Sequence, residues 1–135
     1  MGALPVDRFW VRIQSTLLTA GSAPEPDLAI LDGPPVETAG GYPSADRALL
    51  VIEVADGTLL ADTSIKASLY AAAGVQDYWV LSIPDDLLIV HRRPIRSAGT
   101  RHGFAYAEIR RVARGETVTP LAMPAATVDP ATLLP

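Results

Sequence analysis

Apolar residues in this chain come mostly in runs short enough to read as strands, and only one stretch switches to a helical period. Leu28 to Leu31, Leu49 to Val54, Tyr78 to Ile83 and Leu87 to Val90 are four to six residues long, with Gly, Pro and Asp punctuation between them. Phe9 to Leu18 alternates loosely, setting Phe9, Val11 and Ile13 against Arg12 and Gln14, and predicts a half-buried strand. Phe104 to Val112 predicts another. The Leu28 run, entered through Pro26-Asp27 and ended by Gly33-Pro34-Pro35, is expected to be central. Residues 33–47 are rich in Gly and Pro and predict a long excursion before the third strand.

From Asp62 the period changes. Ile65, Leu69, Ala72 and Ala73 fall at i, i+4, i+7 and i+8, one stripe of a helix that Gly74 can terminate. Asp62, Lys66 and Tyr70 form a second stripe, each four residues from the next. Pro84-Asp85-Asp86 is a hairpin turn signal, and Ala131 to Leu134 predicts one helical turn.

At 135 residues the chain is expected to be a single domain spanning 1–135. It shows neither a run of about eighteen apolar residues nor a charged-then-apolar leader, so the expected location is cytoplasmic. Zero cysteines exclude disulfides, thiolate zinc sites and cysteine nucleophiles, and two histidines leave little for an imidazole metal site. Chemistry is left to carboxylates, hydroxyls, arginine and the single lysine, Lys66. A lone ammonium among arginines can do what a guanidinium cannot, because its pKa can move.

The net charge of −4 is unevenly spread. Residues 1–90 carry three arginines and Lys66 against twelve acids, a net −8, while residues 91–135 carry seven arginines against three acids, a net +4. Between His91 and Arg114 the only acid is Glu108, so this segment is either a basic surface for phosphates or a set of solvated strand faces.

Asp27 begins one apolar run and Glu53 interrupts the next. Antiparallel pairing of Leu31 with Leu49 would set Asp27 opposite Glu53 on one face of the sheet. Two facing carboxylates repel unless a divalent cation lies between them, and oxygen ligands of this kind suit Mg²⁺ or Mn²⁺. A helix packed across the sheet would aim Lys66 at the same place. Two carboxylates, a cation and a lysine are the parts of metal-assisted phosphodiester hydrolysis. Asp62 either tethers Lys66 across one turn or caps the helix, the cap being preferred.

Pro26-Asp27, Val51-Ile52-Glu53-Val54, Asp62-x-x-x-Lys66-x-x-x-Tyr70 and Ala73-Gly74-Val75-x-x-Tyr78-Trp79 together resemble the Uma-two-type restriction endonucleases, a branch of the PD-(D/E)XK nuclease superfamily. The resemblance runs from about Val11 to the terminal Leu133-Leu134. It implies an α/β, restriction-endonuclease-like mixed sheet flanked by helices, an endonuclease acting on DNA, Asp27 and Glu53 as ligands of Mg²⁺ or Mn²⁺, and Lys66 as the catalytic lysine. The superfamily usually places that lysine two positions after the acid; here Ala55 stands there, and the role passes to Lys66. Gln14 matches a polar position on the preceding strand, where it either steadies the site or is an exposed strand residue. Gln14, Asp62 and Tyr70 are the candidates for orienting substrate.

Members of this branch carry a helix and a hairpin ahead of the Val11 to Gln14 strand, and this sequence begins almost at that strand. An apolar sheet face left bare by that start leads to the expectation of a homodimer. It also keeps a second reading open, a nuclease-fold binding or assembly protein without the reaction. A serine hydrolase built on Thr63-Ser64-Ile65-Lys66 is rejected, because Ser64 lies two residues before Lys66 and not three. Tyr78 and Trp79 are read as packing, Asp85-Asp86 as turn chemistry, and His91 beside Arg92-Arg93 as a solvated hairpin end.

Overall fold

The computed structural model describes residues 9–33, 41–57 and 60–135, with helix side chains described from Ser64 onward. A six-stranded sheet runs in sequential order: β1 (Phe9–Ile13), β2 (Leu28–Asp32), β3 (Ala48–Ala55), β4 (Asp77–Ser82), β5 (Leu87–Arg96) and β6 (Phe104–Ala113). Every neighbouring pair is antiparallel except β3 and β4, which are parallel. Parallel neighbours need a crossover, and the helix α1 (Leu60–Ala72) is that crossover. It carries Lys66 from the end of one strand back across the sheet.

The strand beginning at Phe9 is shorter than the alternation predicts. Gln14 takes a left-handed conformation, φ 47°, and leaves the strand, although its amide still donates to the Asp27 carbonyl at 3.0 Å. Leu17, in the loop beyond, is fully buried against the helix-side core. β2 lies between β1 and β3, an interior strand as its unbroken apolar run requires. β4 is buried along all six residues.

α1 lies over β4, β5 and β6. It buries only part of the stripe its aliphatic spacing predicts: Ile65 is 40% exposed and Ala72 is exposed, Leu69 is half-buried and Ala73 packs against the core, while Ser68, Tyr70 and Ala71 are buried and Ala67 packs against the same core. The helix is rotated so that the Lys66–Tyr70 stripe turns inward. It also starts at Leu60, two residues ahead of the expected Asp62, so Asp62 lies in the first turn and is not the cap. The side chain of Asp62 falls outside the described residues.

The helix-side core joins Tyr70 and Ala71 to Val51, Tyr78, Val80 and Tyr106. On the opposite face Trp79, Leu81, Leu88, Val90 and Val112 are covered by Val118, Met123 and Leu134 of the C-terminal segment. That segment contributes a 3₁₀ turn at Pro130–Thr132, one residue ahead of the predicted helical turn. The flanks implied by the resemblance are therefore one α-helix on one face and an irregular segment on the other, among the described residues. Fully buried Asp77 staples the segment down: its carboxylate accepts from Trp79 Nε1 at 2.7 Å, Arg92 Nε at 3.0 Å and the Leu121 amide at 2.9 Å. No helix among the described residues is long and apolar enough to cross a membrane.

Candidate active site

β2 and β3 pair Leu28 with Ile52, Ala29 with Val51 and Ile30 with Leu50. Continued one step past the strand, this register sets Asp27 opposite Glu53. A bulge between Ile30 and Leu31 moves Leu31 onto Ala48, so the expected Leu31–Leu49 pair does not form. The register at the acidic end is unaffected. Glu53 shares its face with Val51, and therefore faces α1.

Lys66 reaches down from α1 and its Nζ lies 3.2 Å from Glu53 Oε1. Tyr78, on the neighbouring strand, donates its hydroxyl to Glu53 Oε2 at 3.0 Å. Asp27 Oδ2 accepts the amide of Val54 at 2.7 Å, which ties the first acid to the strand carrying the second. Burial raises the Glu53 carboxyl above its ordinary 4.5, Lys66 and the Tyr78 hydroxyl work against that rise, and the nearby Asp27 charge adds to it. Glu53 is 8% exposed.

Tyr70 lies one helical turn beyond Lys66 and is fully buried, its ring centroid 4.8 Å from that of Tyr78. Its hydroxyl has no hydrogen-bond partner among the described residues. Burial, then the negative charge of Glu53, with a smaller part from Asp27, push that hydroxyl's pKa far up, so it stays protonated beside the carboxylates.

The structure thus brings Asp27, Glu53, Lys66 and Tyr70 together. Gln14 is not part of the cluster: its side chain is exposed without a hydrogen bond among the described residues, and its backbone amide meets the Asp27 carbonyl. Tyr78 and Trp79 are packing residues, both 1% exposed, but Tyr78 also anchors Glu53, which the sequence reading missed. The signal was present, since a tyrosine in a buried strand needs a partner for its hydroxyl. His91 is not a solvated hairpin end. It is 5% exposed, with Nδ1 held 3.0 Å from the Tyr78 carbonyl, because β5 continues past it to Arg96.

Several arginines expected as a basic surface are engaged: Arg92 with Asp77, Arg93 with Glu108 and Arg114 with Asp86 in ion pairs, and Arg110 with the Thr117 carbonyl. Among the described residues no three or more His, Asp or Glu side chains converge as a self-sufficient metal cage. A divalent cation that keeps several waters needs fewer protein ligands. Asp27 Oδ1 is uncommitted among the described residues, each Glu53 oxygen retains a lone pair, and the Tyr70 hydroxyl, unpartnered among the described residues, feels the charge of both acids. This donor set fits Mg²⁺ or Mn²⁺.

A family model, Uma2, described as "Putative restriction endonuclease", matches residues 5–131. The chain belongs to the Uma2 family. Membership supports a nuclease function. Among solved structures, this Uma2 chain is similar to a crystal structure described as a "putative nuclease belonging to DUF820" from Anabaena variabilis. The TM-score is 0.68 at 11% identity, covering 96% of this chain and 69% of that one, a likeness of fold. No curated protein matches it.

Proposed function

We propose that this Uma2 chain is a metal-dependent endonuclease that hydrolyses DNA phosphodiester bonds, with Asp27 and Glu53 holding Mg²⁺ or Mn²⁺ and Lys66 as the catalytic lysine. The observation that carries the reading is the Lys66–Glu53 contact at 3.2 Å, made from a helix to a buried acid whose register neighbour is Asp27. The metal, when bound, supplies positive charge at the phosphoryl oxygens. Asp27 is held by the Val54 amide and Glu53 by Tyr78, so both carboxylates keep their directions while substrate enters. Lys66, 44% exposed at its side chain, can swing between Glu53 and a phosphate, where it orients the attacking water and screens the charge that develops. Tyr70 gives a fixed donor from below. The substrate is an acidic polymer, and the working unit is a cytoplasmic homodimer.

Plasmid cleavage in Mg²⁺ by wild type and Lys66→Ala tests this. Cleavage by wild type and a loss of about 10²–10³-fold in the variant is expected. Equal cleavage by both removes Lys66 from the mechanism. Absence of cleavage by folded wild type removes the reaction and leaves a nuclease-fold binding module. Calorimetry should also detect Mg²⁺ binding that disappears in Asp27→Asn and Glu53→Gln.

A further inference from the structure

A cavity of about 340 Å³ opens between α1 and the outer strands. Ser64 and Ser68 of the helix form one wall, Ile89 and His91 of β5 the floor, and Tyr106 and Arg111 of β6 the far side. The size is within the range of small-ligand pockets, roughly 300–1,000 Å³.

Its polar groups are few and each has a definite role. His91 Nδ1 lies 3.0 Å from the Tyr78 carbonyl, an oxygen that can only accept, so Nδ1 carries the proton and Nε2 is an acceptor. Burial keeps the ring neutral by lowering its pKa below the ordinary 6.5. The ring's close hydrogen bond is the one at Nδ1, and the Ile89 backbone, which lines the same floor, also acts on the ring. Tyr106 donates its hydroxyl away, to the Val75 carbonyl at 2.8 Å, and offers the cavity only its ring. Arg111 has no ion-pair partner among the described residues, unlike Arg92, Arg93 and Arg114. The cavity therefore combines aromatic and aliphatic walls, one acceptor in the floor and one cation at the mouth.

Two features tie it to the acidic pair. Tyr78 holds His91 through its carbonyl and Glu53 through its hydroxyl. Arg111 also stands in the same cross-strand row as Glu53, through Val80 and Ile89, on the helix-side face. At about 4.8 Å per strand the row spans roughly 14 Å.

We propose that this cavity receives one unstacked nucleobase of a nucleic-acid strand, with an N–H of the base on His91 Nε2, its face on Tyr106 and Phe104, and its phosphate on Arg111. A base offers the planar face and N–H edge that these walls and this acceptor fit, and its backbone supplies the anion. The assignment rests on the nuclease reading of the Asp27–Glu53–Lys66 site and extends it to how the strand is gripped.

The test uses the full chain, EDTA to suppress cleavage, and a short single-stranded DNA carrying one 2-aminopurine, whose fluorescence falls on stacking. Wild type is expected to quench it saturably. Arg111→Ala and Ser64→Leu, which narrows the mouth, should each weaken binding about tenfold, while Arg93→Ala, which removes an exposed arginine outside the cavity, should not. Absence of saturable quenching by wild type overturns the proposal, and so does equal loss in Arg93→Ala and Arg111→Ala. Quenching that depends on Arg111 in a protein that cuts nothing keeps this inference and sinks only the nuclease reading. Cleavage by wild type that Ser64→Leu and Arg111→Ala leave unchanged sinks only this one.

Discussion

At Glu53 the fold buries a carboxyl to 8% exposure and leaves Lys66, with a 44% exposed side chain, as its counter-ion. Because the folded pKa lies above the ordinary 4.5, this carboxyl contributes stability in its protonated form at lower pH, and the contribution is lost as pH rises through the folded value. Glu53→Gln keeps the shape, an acceptor for Lys66 and a partner for the Tyr78 hydroxyl. It should melt with wild type near about pH 4 and be more stable at about pH 7, by about 0.5–2 kcal/mol. Thermal melts across that range check the sign. Tyr70 gives a second case of stability set against function. Its buried hydroxyl lacks a partner among the described residues, so Tyr70→Phe should gain about 1 kcal/mol in denaturant unfolding. If the hydroxyl steadies the reacting water, the same variant should cut at least roughly tenfold more slowly.

Along β2 and β3 the apolar runs and their flanking acids are enough to read the register from Leu28 to Ile30, because a one-residue slip would turn Asp27 and Glu53 onto opposite faces. The bulge after Ile30 is not legible, since nothing local in Leu31 or Leu49 demands an extra residue there. The face of α1 is misread for a different reason. Ile65 and Leu69 dominate any aliphatic periodicity, yet Ala67 and Ala71 allow close approach, and Tyr70 finds Tyr78 on the sheet. Tertiary partners thus decide between two stripes that a thirteen-residue helix leaves nearly equal. Asp77 passes unnoticed in the sequence because its partners, Arg92 and Leu121, are 15 and 44 residues away. Asp77→Ala would strand the Arg92 guanidinium and free the C-terminal segment from β4. A loss of about 3–5 kcal/mol in urea unfolding is expected.

The sheet as a whole is covered unevenly. On the face away from α1, Val11, Ile13 and Val54 are 50%, 68% and 48% exposed, next to the partly packed Leu28 and Ile52. This patch on β1 to β3 is where the proposed homodimer would close, and β1 is one of the two edge strands of the sheet among the described residues. Light scattering should give a dimer mass at micromolar concentration and a monomer for Ile13→Asp; a wild-type monomer throughout would rule the dimer out. The covered regions have a different consequence. Acid and amine lie along one crossover, β3 into α1, with Lys66 thirteen positions after Glu53. Each residue added or removed there would swing the amine about 100° around the helix axis. The length of that connection thus sets the site as much as the side chains do, and homologues that keep Glu53 and Lys66 should keep it.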